Sequence, residues 1–430
     1  MPEACPLAGR PVKRADVAAE RGQNAAATSP ARAVWLDARG LQQGFKAHGG
    51  RGIGTYAAAL VGALDALAAP GRLGCVVERG AELLQPVPRA RLVEAPRALP
   101  GHGRLATQLH QHVQLGAWLS ARRPGAIHFP AQTDPPVLAG VRTIVTVHDV
   151  VLHRHGAWYA THSGDGLAAR ASRARFRTMR LLERLAIAQA SRVIVPSRVT
   201  AREVEDTLGV ERSRITVIPL AADARFTAVA APSDASVRAR LHLPERYVLH
   251  VGGSDARKRL PDLVAAFDAL AHDDETLGLV LAGPTGDAAG SEALRRAIDV
   301  AAARHRIVLT GVVSDEELPA VYRGAAVLAL ATRHEGFGLP VLEAFACGVP
   351  VVATAADAVA EVAGDAALLV PADAPDALGP ALARVLGDPS LAASLREQGL
   401  ARATQYRWSI AAAETLTVYE EVSGLDLRTP

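Results

Sequence analysis

Net charge is what this sequence has least of: 47 Lys and Arg against 44 Asp and Glu leave only +3 over 430 residues. So close a balance provides no overall field for nucleic acid or an anionic membrane, and any basic site must be local. The three cysteines, Cys5, Cys75 and Cys347, lie far apart. That spacing excludes a disulfide framework and paired metal-ligating thiols, and it points to a reducing cytoplasm. Residues 1–32 contain no apolar run long enough for a membrane span or a signal peptide. There is no Asp-x-Asp and no His and Asp cluster at ligand spacing, so neither a metal nor a cofactor is expected. The chain also lacks a Gly-x-Ser-x-Gly elbow and a Gly-Lys-Ser/Thr phosphate loop, which removes the warrant for hydrolase and kinase readings.

Aromatics are scarce at 4%, whereas hydrophobic residues make up 49%, dominated by Ala, Val and Leu. That mixture suits helices packed on buried parallel strands, and the length allows two α/β domains. Residues 1–32 lack periodicity and read as a disordered tail. Strands are expected at Ala33–Asp37, Ala126–Pro130, Thr143–Val147, Arg192–Pro196 and Ile215–Pro219, with a helix over Tyr56–Leu67. Phe226–Leu243 is rich in Ala, Ser and Pro and reads as a linker. A second series follows at Tyr247–Val251, Gly278–Ala282, Ile307–Thr310, Ala326–Ala331 and Pro350–Ala353. The expected division is therefore a first domain over 33–225, a linker over 226–243 and a second domain over 244–406. Folds of this kind bind ligands beyond the carboxyl ends of their strands, so function is expected in the post-strand loops.

The most informative of these loops is Ala331 to Gly348, with the core Glu335-Gly336-Phe337-Gly338-Leu339-Pro340 and a second carboxylate at Glu343. Pro340 suits a first helical turn and Gly348 a stop, which leaves Glu335 in the loop and Glu343 on the helix. Gly336 and Gly338 remove bulk, so the amides of Phe337, Gly338 and Leu339 can approach an anion at the helix N-terminus. A sugar bearing a diphosphate fits that description, and carboxylates can accept hydrogen bonds from its hydroxyls. A capped loop with solvated glutamates is the competing reading. After Tyr247–Val251 come Gly252, Gly253 and the basic run Arg257-Lys258-Arg259. Read as exposed cations, Arg257 and Lys258 would neutralise a departing phosphate. The alternative is an ordinary solvated basic loop.

His148 and Asp149 close the strand Thr143–Val147, and Asp149 either orients His148 or caps the next segment. Gly49 to Tyr56 is Gly-rich but admits no Gly-x-Gly-x-x-Gly register, which argues against a dehydrogenase. Thr200 and Glu203 have the spacing of a capping box. Leu167–Ala190 carries many arginines, among them Arg170, Arg173, Arg175, Arg177, Arg180 and Arg184, interleaved with Leu, Phe and Met. It is read as a solvent-facing helix in preference to one lying on a membrane.

Glu-Gly-Phe-Gly-Leu-Pro with a second Glu eight positions after the first resembles the donor signature of retaining glycosyltransferases of family four, also called glycosyl transferases group 1. The resemblance extends from Ala33 to the C-terminus and is nearest to mannosyl- and hexosyltransferases. It implies the GT-B fold, two facing Rossmann-like domains with a cleft between them and a C-terminal helix, about 407–430, that crosses back to the first domain. It implies that Glu335 contacts the transferred sugar, Glu343 the ribose, and Arg257 and Lys258 the leaving diphosphate. His148 then positions the sugar without acting as a base, while Gly52 and Gly54 approach the donor phosphate. Gly253 and the stretch near Val312 complete the expected donor contacts. Arg259 stands where the family commonly has Asn. The implied reaction is hexosyl transfer from GDP-mannose or a UDP-sugar to a small-molecule, lipid-linked or polysaccharide acceptor. Alternatives are a nucleotide-sugar epimerase of the same architecture and a non-catalytic nucleotide-sugar-binding protein.

Overall fold

The computed structural model describes residues 33–42, 52–83, 91–97, 110–156, 167–285 and 289–429. The expected tail at residues 1–32, the Gly49–Arg51 part of the Gly-rich loop, and the side chains of Arg170 and Arg175 lie outside the described residues. Thirteen described strands form two sheets. One has the order β3-β2-β1-β4-β5-β6-β7, with β1 at Val34–Asp37, β2 at Leu73–Glu78, β3 at Arg91–Ala95, β4 at Ala126–Phe129, β5 at Thr143–Thr146, β6 at Arg192–Val195 and β7 at Ile215–Val217. The other has the order β10-β9-β8-β11-β12-β13, with β8 at Arg246–Val251, β9 at Leu277–Ala282, β10 at Ile307–Gly311, β11 at Val327–Leu330, β12 at Val351–Thr354 and β13 at Leu368–Val370. The pairings of β1 with β2 and β4, and of β8 with β9 and β11, are parallel. Two parallel-sheet α/β assemblies are the expected fold class.

By contact density the chain forms two compact units. The first comprises the described residues within 1–146, 185–193 and 412–430, and the second those within 147–184 and 194–411. In the first, Trp35 of β1 packs at 5.4 Å on Trp118, beside Phe129 and Leu119. Deeper polar pairing ties its last residues to the sheet. His128 Nδ1 lies 2.6 Å from the Tyr419 hydroxyl and its Nε2 2.8 Å from Thr146 Oγ1, which is also 2.9 Å from the Tyr56 hydroxyl. Every one of these side chains is buried, so each polar atom must find such a partner.

In the second unit, strands β8, β9, β11 and β12 are fully buried along most of their length, and this is why they read as continuous apolar runs. The helix Leu260–Asp273 lays Leu263, Val264 and Phe267 on them. Within the stretch read as a linker, Asp234–Arg240 is helical, and Asp234 pairs with Arg323. The helix Leu167–Gln189 exposes Leu181 and Leu185. No helix among the described residues is long and apolar enough to cross a membrane.

Phe267 is wholly buried in this core. Phe267→Ala is expected to cost about 3–5 kcal/mol, the range for emptying an aromatic site in a packed core. Urea unfolding followed by circular dichroism reads the loss; a change below about 1 kcal/mol would show that the ring does not fill this space.

Candidate active site

Strands β8 and β11 are neighbours, and the order of the sheet reverses between them. The connections that follow them therefore part at their carboxyl ends and leave a crevice, the place where open α/β sheets hold ligands. The loop after β8 contains the short turn Ala256–Lys258, capped by Asp255, whose Oδ1 accepts from the Arg257 amide at 3.0 Å. The loop after β11 runs to Gly338. The two are stitched together, since the Arg333 amide donates to the Arg257 carbonyl at 2.8 Å and Arg257 Nη1 donates to the His334 carbonyl at 2.9 Å.

Between them sits Glu335. Its Oε2 accepts from Arg257 Nη1 at 2.7 Å, and its Oε1 accepts from Lys258 Nζ. Burial alone would raise its pKa, but the two cations hold the carboxyl far below its usual range. Burial draws the Lys258 ammonium down, and Glu335 draws it partly back. Lys258, expected as an exposed cation, is buried, because the chain folds it back from the turn onto Glu335. Beneath it His250 is fully buried, with Nδ1 at 3.1 Å from the Ala329 carbonyl and Nε2 without a partner among the described residues. Burial and the nearby Lys258 push its pKa down to about 4, so the ring is neutral.

Gly336 and Gly338 have separate physical reasons. A Cβ at Gly336 would lie 1.8 Å from the His148 carbonyl oxygen, so main chain touches main chain there. Gly338 has φ of +99° and starts the helix Leu339–Ala346, a conformation that other residues rarely adopt. Among the described residues no hydrogen bond engages the amides of Phe337, Gly338 and Leu339. The Phe337 ring packs on Tyr406 at 5.9 Å. His148 is half-buried on the strand end beside this loop. Asp149 accepts from the Val151 amide at 3.0 Å and so caps the following turn. Arg259 occupies the left-handed region with φ of 51° and starts the helix Leu260–Asp273, a backbone state that Asn tolerates better than Arg.

Glu343 lies on the helix, buried, and its Oε2 accepts from the Tyr322 hydroxyl at 2.6 Å. Tyr322 was absent from the sequence expectations; it stands 21 residues earlier, on a different helix, and no motif marks it. The other expected contacts are more scattered. Gly253 sits beside Pro284. Val312, just beyond β10, is 67% exposed. Gly52 and Gly54 begin the helix Gly52–Leu67 in the first unit, Gly52 exposed and Gly54 buried. Thr200 and Glu203 do not form the expected capping box. Ser197 is the cap, accepting from the Thr200 amide at 3.0 Å, and Glu203 turns instead to His334 and Arg154. Among the described residues no group of three or more His, Cys, Asp and Glu is placed to hold a metal ion.

Burial pushes the Glu343 carboxyl up to about 7, only partly offset by the Tyr322 hydrogen bond. A raised folded-state pKa means that the folded protein binds the extra proton, so stability is intact below about pH 4.5 and falls as pH rises through 7. Glu343→Gln removes this dependence. Its melting temperature relative to the parent is expected to climb between pH 5 and 8, by up to about 3 kcal/mol equivalent at 1.4 kcal/mol per unit. A difference that stays flat across that range would mean an ordinary, ionised carboxylate.

Residues 50–226 match a family model described as Glycosyltransferase Family 4, and residues 235–402 match one described as Glycosyl transferases group 1. The O-antigen chain mannosyltransferase B of Escherichia coli is 32% identical over 175 residues, 40% of this chain and 45% of that protein. The D-inositol 3-phosphate glycosyltransferase of Salinispora arenicola is 31% identical over 255 residues, 56% of each. The chain thus spans about half the length of these curated relatives. Among solved structures, the sucrose-phosphate synthase of Thermosynechococcus elongatus superposes with a TM-score of 0.69 at 22% identity, over 91% of this chain and 99% of that one. Anabaena HepE in complex with UDP-glucose gives 0.65 at 18%, over 90% and 99%. These structures share the GT-B fold with it, and with two models of one family matched along the sequence, the chain belongs to the group 1, family 4 glycosyltransferases.

Proposed function

We propose that the protein moves a hexosyl unit from a nucleotide-diphosphate sugar, GDP-mannose or a UDP-sugar, to an alcohol, with retention at the anomeric carbon and without a bound metal. The observation that carries this reading is the pair Arg257 and Lys258, both held on Glu335 in the loop that leads into the helix Leu339–Ala346, at whose start no hydrogen bond among the described residues engages the amides. An anion arriving there meets two fixed cations and a helix N-terminus. A departing diphosphate gains negative charge as its bond to the sugar breaks, so such groups stabilise the transition state more than the ground state.

In the transfer, the bond from the anomeric carbon to the diphosphate oxygen breaks and a bond to the acceptor oxygen forms on the same face. The acceptor proton passes to the departing phosphate, which needs no protein base. Glu335, fixed by its two cations, has lone pairs left for sugar hydroxyls. His148, whose main chain abuts Gly336, positions the sugar, and Glu343 with Tyr322 addresses the ribose. Similarity to a mannosyltransferase supports a GDP-mannose donor, and similarity to a UDP-glucose complex supports a UDP-sugar. The acceptor is a small molecule, a lipid-linked sugar or a polysaccharide.

Lys258→Ala is expected to lower turnover about 10²- to 10³-fold, the scale for removing one preorganised group facing developing charge. Because Lys258 is buried against Glu335, its loss also costs folding stability, so rates are compared per folded molecule. Nuclear magnetic resonance of the product should show the donor's anomeric configuration, with activity unchanged in EDTA. Inverted product, or parental turnover in the folded variant, would refute the assignment.

A further inference from the structure

The loop that carries Glu335 contains two glycines and would be loose if left to itself, yet a sugar-contacting carboxylate must be held to a fraction of an ångström. Arg257 and Thr332 fix it from one direction, both donating to the His334 carbonyl, at 2.9 and 3.0 Å. The helix Arg198–Leu208 approaches from another. Its cap and first turns present Ser197, Thr200 and Glu203, three residues apart and therefore on one face. Ser197 Oγ and Thr200 Oγ1 each donate to the Gly336 carbonyl at 2.9 Å. Glu203 places both carboxylate oxygens 3.1 Å from His334 Nε2. The residues on either side of Glu335 are thus gripped by a helix 131 residues away in sequence.

Both partners of the Glu203 and His334 pair are buried. A buried carboxylate stays ionised only with partners: burial pushes Glu203 up, and His334 and Arg154, the latter at 2.6 Å, bring it below its ordinary range. The His155 ring closes the other side of His334 at 5.5 Å. We infer that Glu203 is a positioning residue for Glu335, acting through His334 in concert with Ser197 and Thr200. The inference rests on the reading of Glu335 as a sugar contact. Glu361 supplies an internal comparison, because it accepts from the Arg198 and Val199 amides at 3.0 and 3.1 Å and so supports the start of the same helix without touching the loop.

Calorimetric titrations with UDP, UDP-glucose, GDP and GDP-mannose test the role without requiring an acceptor. Glu203→Ala is expected to weaken binding of the preferred nucleotide sugar about tenfold while leaving its free nucleotide unchanged, as for a displaced contact. Glu203→Gln recovers most of the loss, since its amide oxygen still accepts from Nε2–H, and Glu361→Ala keeps the parental ratio. Should Glu203→Ala not fold, His334→Phe, which keeps a ring but removes Nε2, is expected to show the same loss. Parental sugar-nucleotide affinity in Glu203→Ala, or an equal loss in Glu361→Ala, overturns the role. If Glu335→Gln also leaves that affinity intact, the donor-site reading itself has failed; if Glu335→Gln loses it and Glu203→Ala does not, only the positioning role falls.

Discussion

The site depends on one buried carboxylate, Glu335, held between two cations. Removing Glu335 from water is costly, and the two cations offset that cost from opposite sides, Arg257 on Oε2 and Lys258 on Oε1. Together they form a compact group, with Asp255 3.8 Å from Arg257 as a further counter-charge, fixed at the point where the order of the second sheet reverses. Their placement follows from topology. Arg257 and Lys258 leave β8 on one side, Glu335 leaves β11 on the other, and strand pairing brings the two loops into contact. An incoming anion meets two cations that are already held in place.

The second carboxylate shows how far environment separates two identical groups. Glu335 and Glu343 lie eight positions apart, yet one is held ionised by cations and the other, buried and accepting from the Tyr322 hydroxyl, is pushed toward protonation near neutral pH. The glycines between them serve distinct needs. Gly336 lets the loop lie against the His148 main chain, and Gly338 turns the chain into the helix.

Much of this was legible in the sequence, for identifiable reasons. Strands β8, β9, β11 and β12 are buried on both faces, so their apolar runs are unbroken; β2 and β3 include Glu78, Arg91 and Glu94, and β13 has only three residues, so their signals are faint. The loop with Glu335 on it and the helix with Glu343 followed from Pro340 and Gly348, which local chemistry fixes. What escaped were pairings between distant elements: Tyr322 with Glu343, Glu203 with His334, and Lys258 folded onto Glu335 instead of reaching into solvent. Side chains of these types are ordinarily at the surface, and only the tertiary fold decides otherwise.

The most direct test of the central claim is thermal unfolding in UDP, GDP, ADP and dTDP without metal. A ligand at about a hundred times its dissociation constant adds roughly 2.7 kcal/mol, enough to raise the melting temperature by a few degrees. One nucleoside diphosphate is expected to stabilise the protein in EDTA, with a shift that shrinks as salt rises. No shift with any of the four in a folded sample, or a shift that appears only with added metal, would contradict it.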